Sequence, residues 1–160
     1  MKPSRPTTMY LETTEVPAER SMAEIASVLV QAGALEIATT YEGGVPAGVR
    51  WRMMLYDRPV WFILPAKVDP VYNALYKRRV SGRGRLGGID TRKLRDTARR
   101  VAWRQLLTWV KVQMAMIEHG MAEYGQVFLP YVDSGGGRTA WDHFRETNFK
   151  MIEAPKDADS

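Results

Sequence analysis

The longest helical pattern in this chain runs from about Thr91 to His119, and it constrains the fold more than any other feature. Asp90 or Thr91 caps its start and Gly120 ends it. Its main stripe consists of Leu94, Ala98, Val101, Gln105, Trp109, Val112 and Met116, joined in the second half by Leu106, Val110 and Ile117. A helix with such a stripe needs another layer of structure against which to bury it.

A shorter helix is predicted near the start of the chain. Ser21-Met22-Ala23-Glu24 has the form of a capping box, and apolar residues follow at helical spacing until Gly33. This pattern predicts a first helix from about Met22 to Ala32.

Between the two helices, the spacing of apolar residues changes to the alternation of β-strands. The first predicted strand spans Leu35 to Tyr41, and the Gly43-Gly44 pair starts a hairpin. The second strand alternates Val49, Trp51, Met53 and Leu55 with Arg50, Arg52, Met54 and Tyr56. A turn at Asp57-Arg58 leads to a third strand over Val60 to Leu64.

These elements predict an α+β fold with an α-β-β-β-α core. In it a three-stranded antiparallel meander packs on the long helix, and further helices follow over about Met121 to Leu129 and Thr139 to Ile152. The length of 160 residues fits a single domain, 1–160. We expect disorder at 1–8 and 154–160, and a flexible basic loop over 66–89, where several glycines cluster.

Composition narrows the class of protein. The sequence has no cysteine, which excludes disulfides, thiol nucleophiles and cysteine-based zinc sites. It has no apolar run long enough to cross a membrane and no signal-like start, so we expect no membrane association and a cytoplasmic location.

The segment from Lys77 to Arg104 holds eleven of the 23 basic residues and only two acids, Asp90 and Asp96. Its net charge is therefore +9, whereas the whole chain carries +5 and the remainder −4. Such polarisation favours attraction to a polyanion. The alternative interpretation is a solvated loop followed by the wet face of a helix.

On the first interpretation, a set of cations and one aromatic residue would contact nucleic acid. The candidate binding residues are Arg50, Arg52, Lys77, Arg78, Arg79, Arg83, Arg85, Arg92, Lys93, Arg99, Arg100 and Trp103. Arginine predominates, and its planar fork suits phosphate oxygens. The glycines near Arg83 permit close approach to an anion, but no Walker or dinucleotide motif is present.

Aromatic residues allow two interpretations. Trp61 and Tyr56, beside Arg50 and Arg52, would form a stacking platform for unpaired bases if that face of the sheet is open. They would instead be core residues if a helix covers it. On the long helix, we expect Trp109 in the core and Trp103 exposed among cations.

Catalysis finds little support in the sequence. The two histidines, His119 and His143, have no second cluster of catalytic residues, and Asp142 and Glu146 fit surface ion pairs better than a metal site. We therefore predict a protein that is not an enzyme, with no metal and no cofactor.

Short motifs along most of the chain resemble a family of small uncharacterised proteins of tailed phages and prophages. They are Met9-Tyr10 with Thr13, Val16-Pro17, Glu19-Arg20-Ser21, Glu24-Ile25, Gly33-Ala34, Phe62-Ile63-Leu64-Pro65, Ala102-Trp103-Arg104-Gln105, Phe128-Leu129, and Gly137-Arg138-Thr139 before Trp141. Gly135 and Gly136 lengthen the last turn relative to the family pattern. The resemblance implies a phage or prophage origin, hence the host cytoplasm, and supplies no mechanism.

These features predict a small nucleic-acid-binding protein that tolerates any sequence of DNA or RNA. The first alternative is an interaction protein that inhibits or recruits a host factor, with the basic segment docking on an acidic surface. The second is a homo-oligomer formed through the apolar second half of the long helix, where Leu106, Val110, Met114 and Ile117 form another stripe.

Overall fold

A computed structural model describes residues 9–82 and 88–150, and within these ranges the predicted α+β fold is confirmed. The elements are α1 (Ala18–Gln31), β1 (Glu36–Glu42), β2 (Val45–Leu55), β3 (Arg58–Pro65), α2 (Val68–Gly82), α3 (Thr91–Glu118), α4 (Tyr124–Phe128), a 3-10 turn (Leu129–Tyr131), β4 (Asp133–Gly135), β5 (Arg138–Thr139) and α5 (Ala140–Glu146). The disorder expected at 1–8 and 154–160 concerns residues outside these ranges. Arg83 and Arg85 also lie outside them.

Helix α1 begins one turn earlier than the sequence predicts. Pro17 is its N-cap, with no side-chain cap, and Ser21 is fully buried inside the helix with an Oγ atom that has no hydrogen-bond partner among the described residues. The predicted capping box is therefore wrong. Ala18, Ser21, Ile25 and Leu29 share the buried face, so the apolar stripe that starts at Ala18 outweighs the local capping pattern.

The three predicted strands form an antiparallel sheet in the order β1-β2-β3. Gly43 and Gly44 both have positive φ, as the tight first hairpin requires. The second turn is Tyr56-Asp57 rather than Asp57-Arg58, and both of its residues have positive φ as well. Tyr56 thus lies in the turn and not on the strand face predicted for it.

Residues 66–89 were expected to form a loop, and for most of them this is wrong, because 68–82 form the helix α2. Pro70 made this helix difficult to predict, because proline interrupts most helices. In the first turn, however, a proline costs no internal hydrogen bond. Leu75 is the one fully buried residue of α2, and it packs against Leu94 and Ala98 of α3. Because the buried face of α2 is this narrow, the helical spacing of apolar residues is weak in its sequence.

Helix α3 has the predicted ends, but its buried face follows the predicted main stripe only through Leu94, Ala98 and Val101, and Val112 of that stripe is exposed. The Asp90 side chain accepts hydrogen bonds from the backbone N–H groups of Arg92 and Lys93, each at 3.1 Å, and Gly120 follows the helix end with positive φ. The buried residues of α3 are Leu94, Ala98, Val101, Ala102, Trp103, Leu107 and Val110.

The core lies between the inner face of the sheet and the helices α1, α3 and α4. Trp51 and Phe62 are cross-strand partners whose rings stack with centroids 5.2 Å apart, and Phe128 of α4 meets Trp51 edge-on at 5.6 Å. Val110 is fully buried and Leu106, Met114 and Ile117 pack against the same core. The second stripe of α3 therefore contacts the core of its own chain, and self-assembly through it stays a prediction.

The C-terminal elements are shorter than predicted and lie beside the edge strand β3. An isolated bridge pairs Phe62 with Val132, just before β4. Helix α5 has a complete capping box in which Thr139 and Asp142 exchange hydrogen bonds, and it ends at Glu146 because Asn148 and Phe149 have positive φ. These elements form one wall of a groove beside the sheet.

Strand β2 requires glycine at position 48. A Cβ atom there would lie 2.6 Å from the Leu64 carbonyl oxygen and 3.0 Å from the Pro65 Cα atom, which are backbone atoms that cannot rotate away. We expect Gly48→Ala to lower the free energy of unfolding by about 2 kcal/mol through overpacking. Urea denaturation measures the change.

Gly82→Ala is the matched control, because a Cβ atom at position 82 meets no atom of the described residues within 4 Å and the backbone is helical. It should leave stability unchanged or raise it slightly. Equal urea midpoints for the two variants would contradict the packing argument.

Candidate nucleic-acid interface

The consecutive helices α2 and α3 pack on each other through Leu75, Leu94 and Ala98 and form a helical hairpin. Four cations close in sequence to the α2–α3 connection form no ion pair with an acid of the described residues. Lys77 and Arg79 lie in the second half of α2, and Arg92 and Lys93 lie in the first turn of α3. Within residues 9–82 and 88–150, none of these side chains takes part in an ion pair. We call these four residues the hairpin tip; all are exposed except Arg79, which is half-buried.

The start of α3 strengthens the positive potential of the hairpin tip. Its first turn contains no acidic residue, and Asp90 directs its carboxylate to backbone N–H groups. The aligned peptide dipoles of a helix place a partial positive charge at its N-terminus, where further cations are unfavourable. Arg92 and Lys93 add two positive charges to this end of the helix, and the single Asp90 carboxylate offsets at most one of them.

The other described cations of the basic segment are engaged within the chain. Four of them hold α3 against the N-terminal residues, α1 and α2, and Arg78 holds α2 against the N-terminal residues. The contacts are Arg78 with Glu12 (3.6 Å), Arg99 with Glu19 (3.7 Å), Arg104 with Glu24 (3.6 Å), Arg95 with Asp69, and Arg100 Nε with the Thr14 carbonyl oxygen (3.3 Å). Five of the eleven cations of the basic segment thus stabilise the fold. A nucleic acid would have to displace their present partners to bind Arg78, Arg99 or Arg100.

The outer face of the sheet has cations that are also neutralised. Arg50 forms an ion pair with Asp133 at 3.0 Å and lies over the Trp61 ring, with its Cζ atom 4.0 Å from the ring centroid. Arg52 pairs with Glu36 and lies on the same ring at 5.7 Å. Trp61 is therefore half-buried between two arginines, each bound to an acid, so this face offers balanced charge to a phosphate.

Trp103 is fully buried, so its predicted role as an exposed aromatic residue among cations is wrong. It shares the core face of α3 with Leu107 and Val110, at spacings of four and seven residues. Trp109, predicted as core, is only partly buried and packs at the core's margin. The spacing of Trp103 from Leu107 was the signal available in the sequence, and the flanking arginines obscured it.

A groove of about 780 Å³ lies between β3, the middle of α3 and the C-terminal elements. Three of its lining side chains are aromatic: Trp109 of α3, Tyr131 of the 3-10 turn and Trp141 of α5. Lys67 lies at the groove as well. We call this the aromatic groove, and sequence analysis missed it because its walls come from elements that only the tertiary fold brings together.

The titratable groups with clear pKa shifts have structural causes. Burial raises the pKa of Tyr124, whose hydroxyl oxygen accepts a hydrogen bond from Trp51 Nε1 at 2.8 Å. Hydrogen bonds from Thr139 hold the pKa of Asp142 below its usual value, with smaller contributions from Arg145 and Lys67. These groups fix the fold, and neither is arranged as an acid or base beside a second reactive group.

The two carboxylates considered for a metal site have other partners. Asp142 caps α5, and Glu146 pairs with Arg138. Across residues 9–82 and 88–150, no three His, Asp or Glu side chains come together as metal ligands would. In the same ranges, no helix is long and apolar enough to cross a membrane.

Glu24 joins α1 to α3 and generates a pH-dependent prediction. Its carboxylate lies 3.0 Å from Lys111, 3.6 Å from Arg104 and 3.4 Å from Arg20, and the hydrogen bond from Lys111 is the main cause of its lowered pKa. A pKa below the unfolded-state value means that ionised Glu24 stabilises the fold above that value. This stabilisation is lost as the pH falls through the lower, folded-state pKa.

We expect Glu24→Gln to lose less stability than the wild type between about pH 5 and pH 3, because it lacks this titrating group. Urea midpoints across that range test it. Glu15→Gln, which removes an exposed glutamate with no ion pair among the described residues, should keep the wild-type profile. Parallel profiles for Glu24→Gln and the wild type would count against the role of Glu24.

Comparison with family models, with curated proteins and with solved structures found no match to this chain. The resemblance to phage and prophage proteins therefore stays a prediction from short motifs, and a functional conclusion has to come from the geometry of the chain itself.

Proposed function

We propose that this protein binds nucleic acid without sequence preference and without catalysis, through the hairpin tip. One observation carries the proposal: Arg92 and Lys93 lie in the first turn of α3 with no acidic partner among the described residues. Cations at a helix N-terminus cost stability, typically a few tenths of a kcal/mol each. Local choices that oppose stability are typical of functional sites.

Phosphate is the ligand that suits such a site. A flexible polyanion can contact several separated cations at once, and each contact releases condensed counterions. Lys77 and Arg79 lie in the second half of α2, and the connecting residues between α2 and α3 add Arg83 and Arg85 in the sequence. Contacts to phosphate position a nucleic acid but do not read its bases, which supports tolerance of sequence.

The proposal includes a cytoplasmic location, favoured by the lack of cysteine. The alternative, a protein that inhibits or recruits a host factor, would use the hairpin tip against an acidic protein surface. The two functions differ in their range of ligands. A polyanion-binding protein accepts any oligonucleotide of adequate length, whereas an inhibitor requires one complementary partner.

The test is the binding of labelled single- and double-stranded oligonucleotides across a series of salt concentrations, followed by fluorescence anisotropy. For wild type we expect affinity to fall steeply as salt rises. For Arg92→Ala combined with Lys93→Ala, we expect weaker binding of all sequences. The slope of log affinity against log salt should decrease by about one for each lost contact, hence by about two.

The matched control combines Arg58→Ala with Lys150→Ala, which removes the same charge from exposed residues outside the α2–α3 hairpin. It should keep most of the wild-type affinity and slope. If the two double variants lose affinity equally, only net charge matters and the tip has no special role. Absence of wild-type binding at low salt would reject the function and direct attention to a protein partner.

A further inference from the structure

We infer that the aromatic groove receives an unpaired base of a bound single strand, with Trp141 as the stacking side chain. The inference rests on the proposed function and deepens it, because it selects single-stranded nucleic acid as the ligand. The volume of the aromatic groove, about 780 Å³, lies in the range of sites that bind small organic groups.

The exposure of Trp141 is the first observation that favours a ligand in the groove. Its side chain is 46% exposed although it lines a groove, and a tryptophan with this much free surface in a concave site is typical of a contact residue. It is nevertheless fixed in place, because it lies within the capping box of α5, between Thr139 and Asp142, and its ring lies 5.7 Å from that of Phe149. A fixed, open ring loses little entropy when a base stacks on it.

The other aromatic walls are equally well supported. The rings of Trp109 and Tyr131 meet edge to face with centroids 5.5 Å apart, and Trp109 also contacts Phe128 of the core at 5.6 Å. These contacts hold two more ring systems at the groove in definite orientations. Planar heterocycles gain from such surroundings through stacking and edge contacts, whereas an aliphatic side chain gains only from burial.

Among the polar side chains that line the groove, Lys67 has a charge that can contact a phosphate. Asp142 accepts hydrogen bonds from the Thr139 backbone N–H and hydroxyl, both at 2.9 Å, and its other oxygen lies 3.6 Å from Arg145. Gln105 donates to the Tyr10 carbonyl oxygen at 2.7 Å. Lys67 is exposed and forms no ion pair with a described acid, so an ammonium group remains for the phosphate of a stacked nucleotide.

The groove and two cations of the hairpin tip lie toward opposite ends of α2. Lys67 directly precedes this helix, whereas Lys77 and Arg79 lie toward its end. The ten to twelve residues that separate them span roughly 15 to 18 Å at the usual helical rise. A single strand lying along α2 can therefore contact cations at both ends and place one base in the groove, while bases in a duplex stay paired and out of reach.

The experiment compares two single strands of about 12 nucleotides, within the usual site size. One carries thymine bases and the other is abasic, with the same phosphates and sugars but no bases. For Trp141→Ala we expect affinity for the thymine strand to fall roughly 5- to 100-fold, with affinity for the abasic strand unchanged. Trp141→Leu, which keeps apolar volume beside Phe149 but has no ring, should show the same base-dependent loss.

Tyr41→Ala is the control, because Tyr41 is 63% exposed but lines no part of the groove, and it should bind both strands as the wild type does. The inference is overturned if Trp141→Ala weakens both strands equally or neither. In that case the proposed function still stands, provided that the tip variant loses affinity for both strands. If the wild type binds neither strand, function and inference fail together, and a protein partner becomes the occupant to seek.

Discussion

The stack of Trp51 on Phe62 determines how the rest of the molecule is assembled. These two rings are neighbours across β2 and β3, and Phe128 and Tyr124 meet them from α4. The Trp51 indole N–H, which would be costly to bury alone, donates to the Tyr124 hydroxyl. One aromatic cluster therefore fixes the sheet, α4 and, through the contact of Trp109 with Phe128, the long helix.

The division of the basic segment follows from geometry rather than from composition. Where α3 passes α1 and the N-terminal residues, its arginines find acids such as Glu19 and Glu24. Pairs of this kind contribute at most about 1 kcal/mol each at a surface, yet they fix which cations remain outside. At the hairpin tip the side chains of Lys77, Arg79, Arg92 and Lys93 form no ion pair with a described acid, and the nearby Asp90 directs its carboxylate to backbone N–H groups.

Local signals in the sequence predict the elements that depend on them. Asp90 and Gly120 delimit α3, the Gly43-Gly44 pair marks the first hairpin, and alternation assigns the two faces of β2. Helix α2 escaped prediction because Leu75 alone is fully buried on it and Pro70 interrupts the pattern. The burial of Trp103 and the ion pairs of the arginines depend on contacts between residues tens of positions apart, which charge counting along the chain does not register. The aromatic groove could not be predicted for the same reason, because its walls come from parts of the chain that are distant in sequence.

On the proposed function, two residues of the segment before Pro17 would compete with the nucleic acid for arginine side chains. Glu12 presents a carboxylate to Arg78, and the Thr14 carbonyl oxygen accepts from Arg100, so both arginines meet oxygen atoms much as they would meet phosphate. Removal of this segment by a protease would free both side chains and extend the cationic surface from the tip along the hairpin. On the proposed function, Glu12 and Thr14 would thus weaken the attraction between this protein and its polyanion.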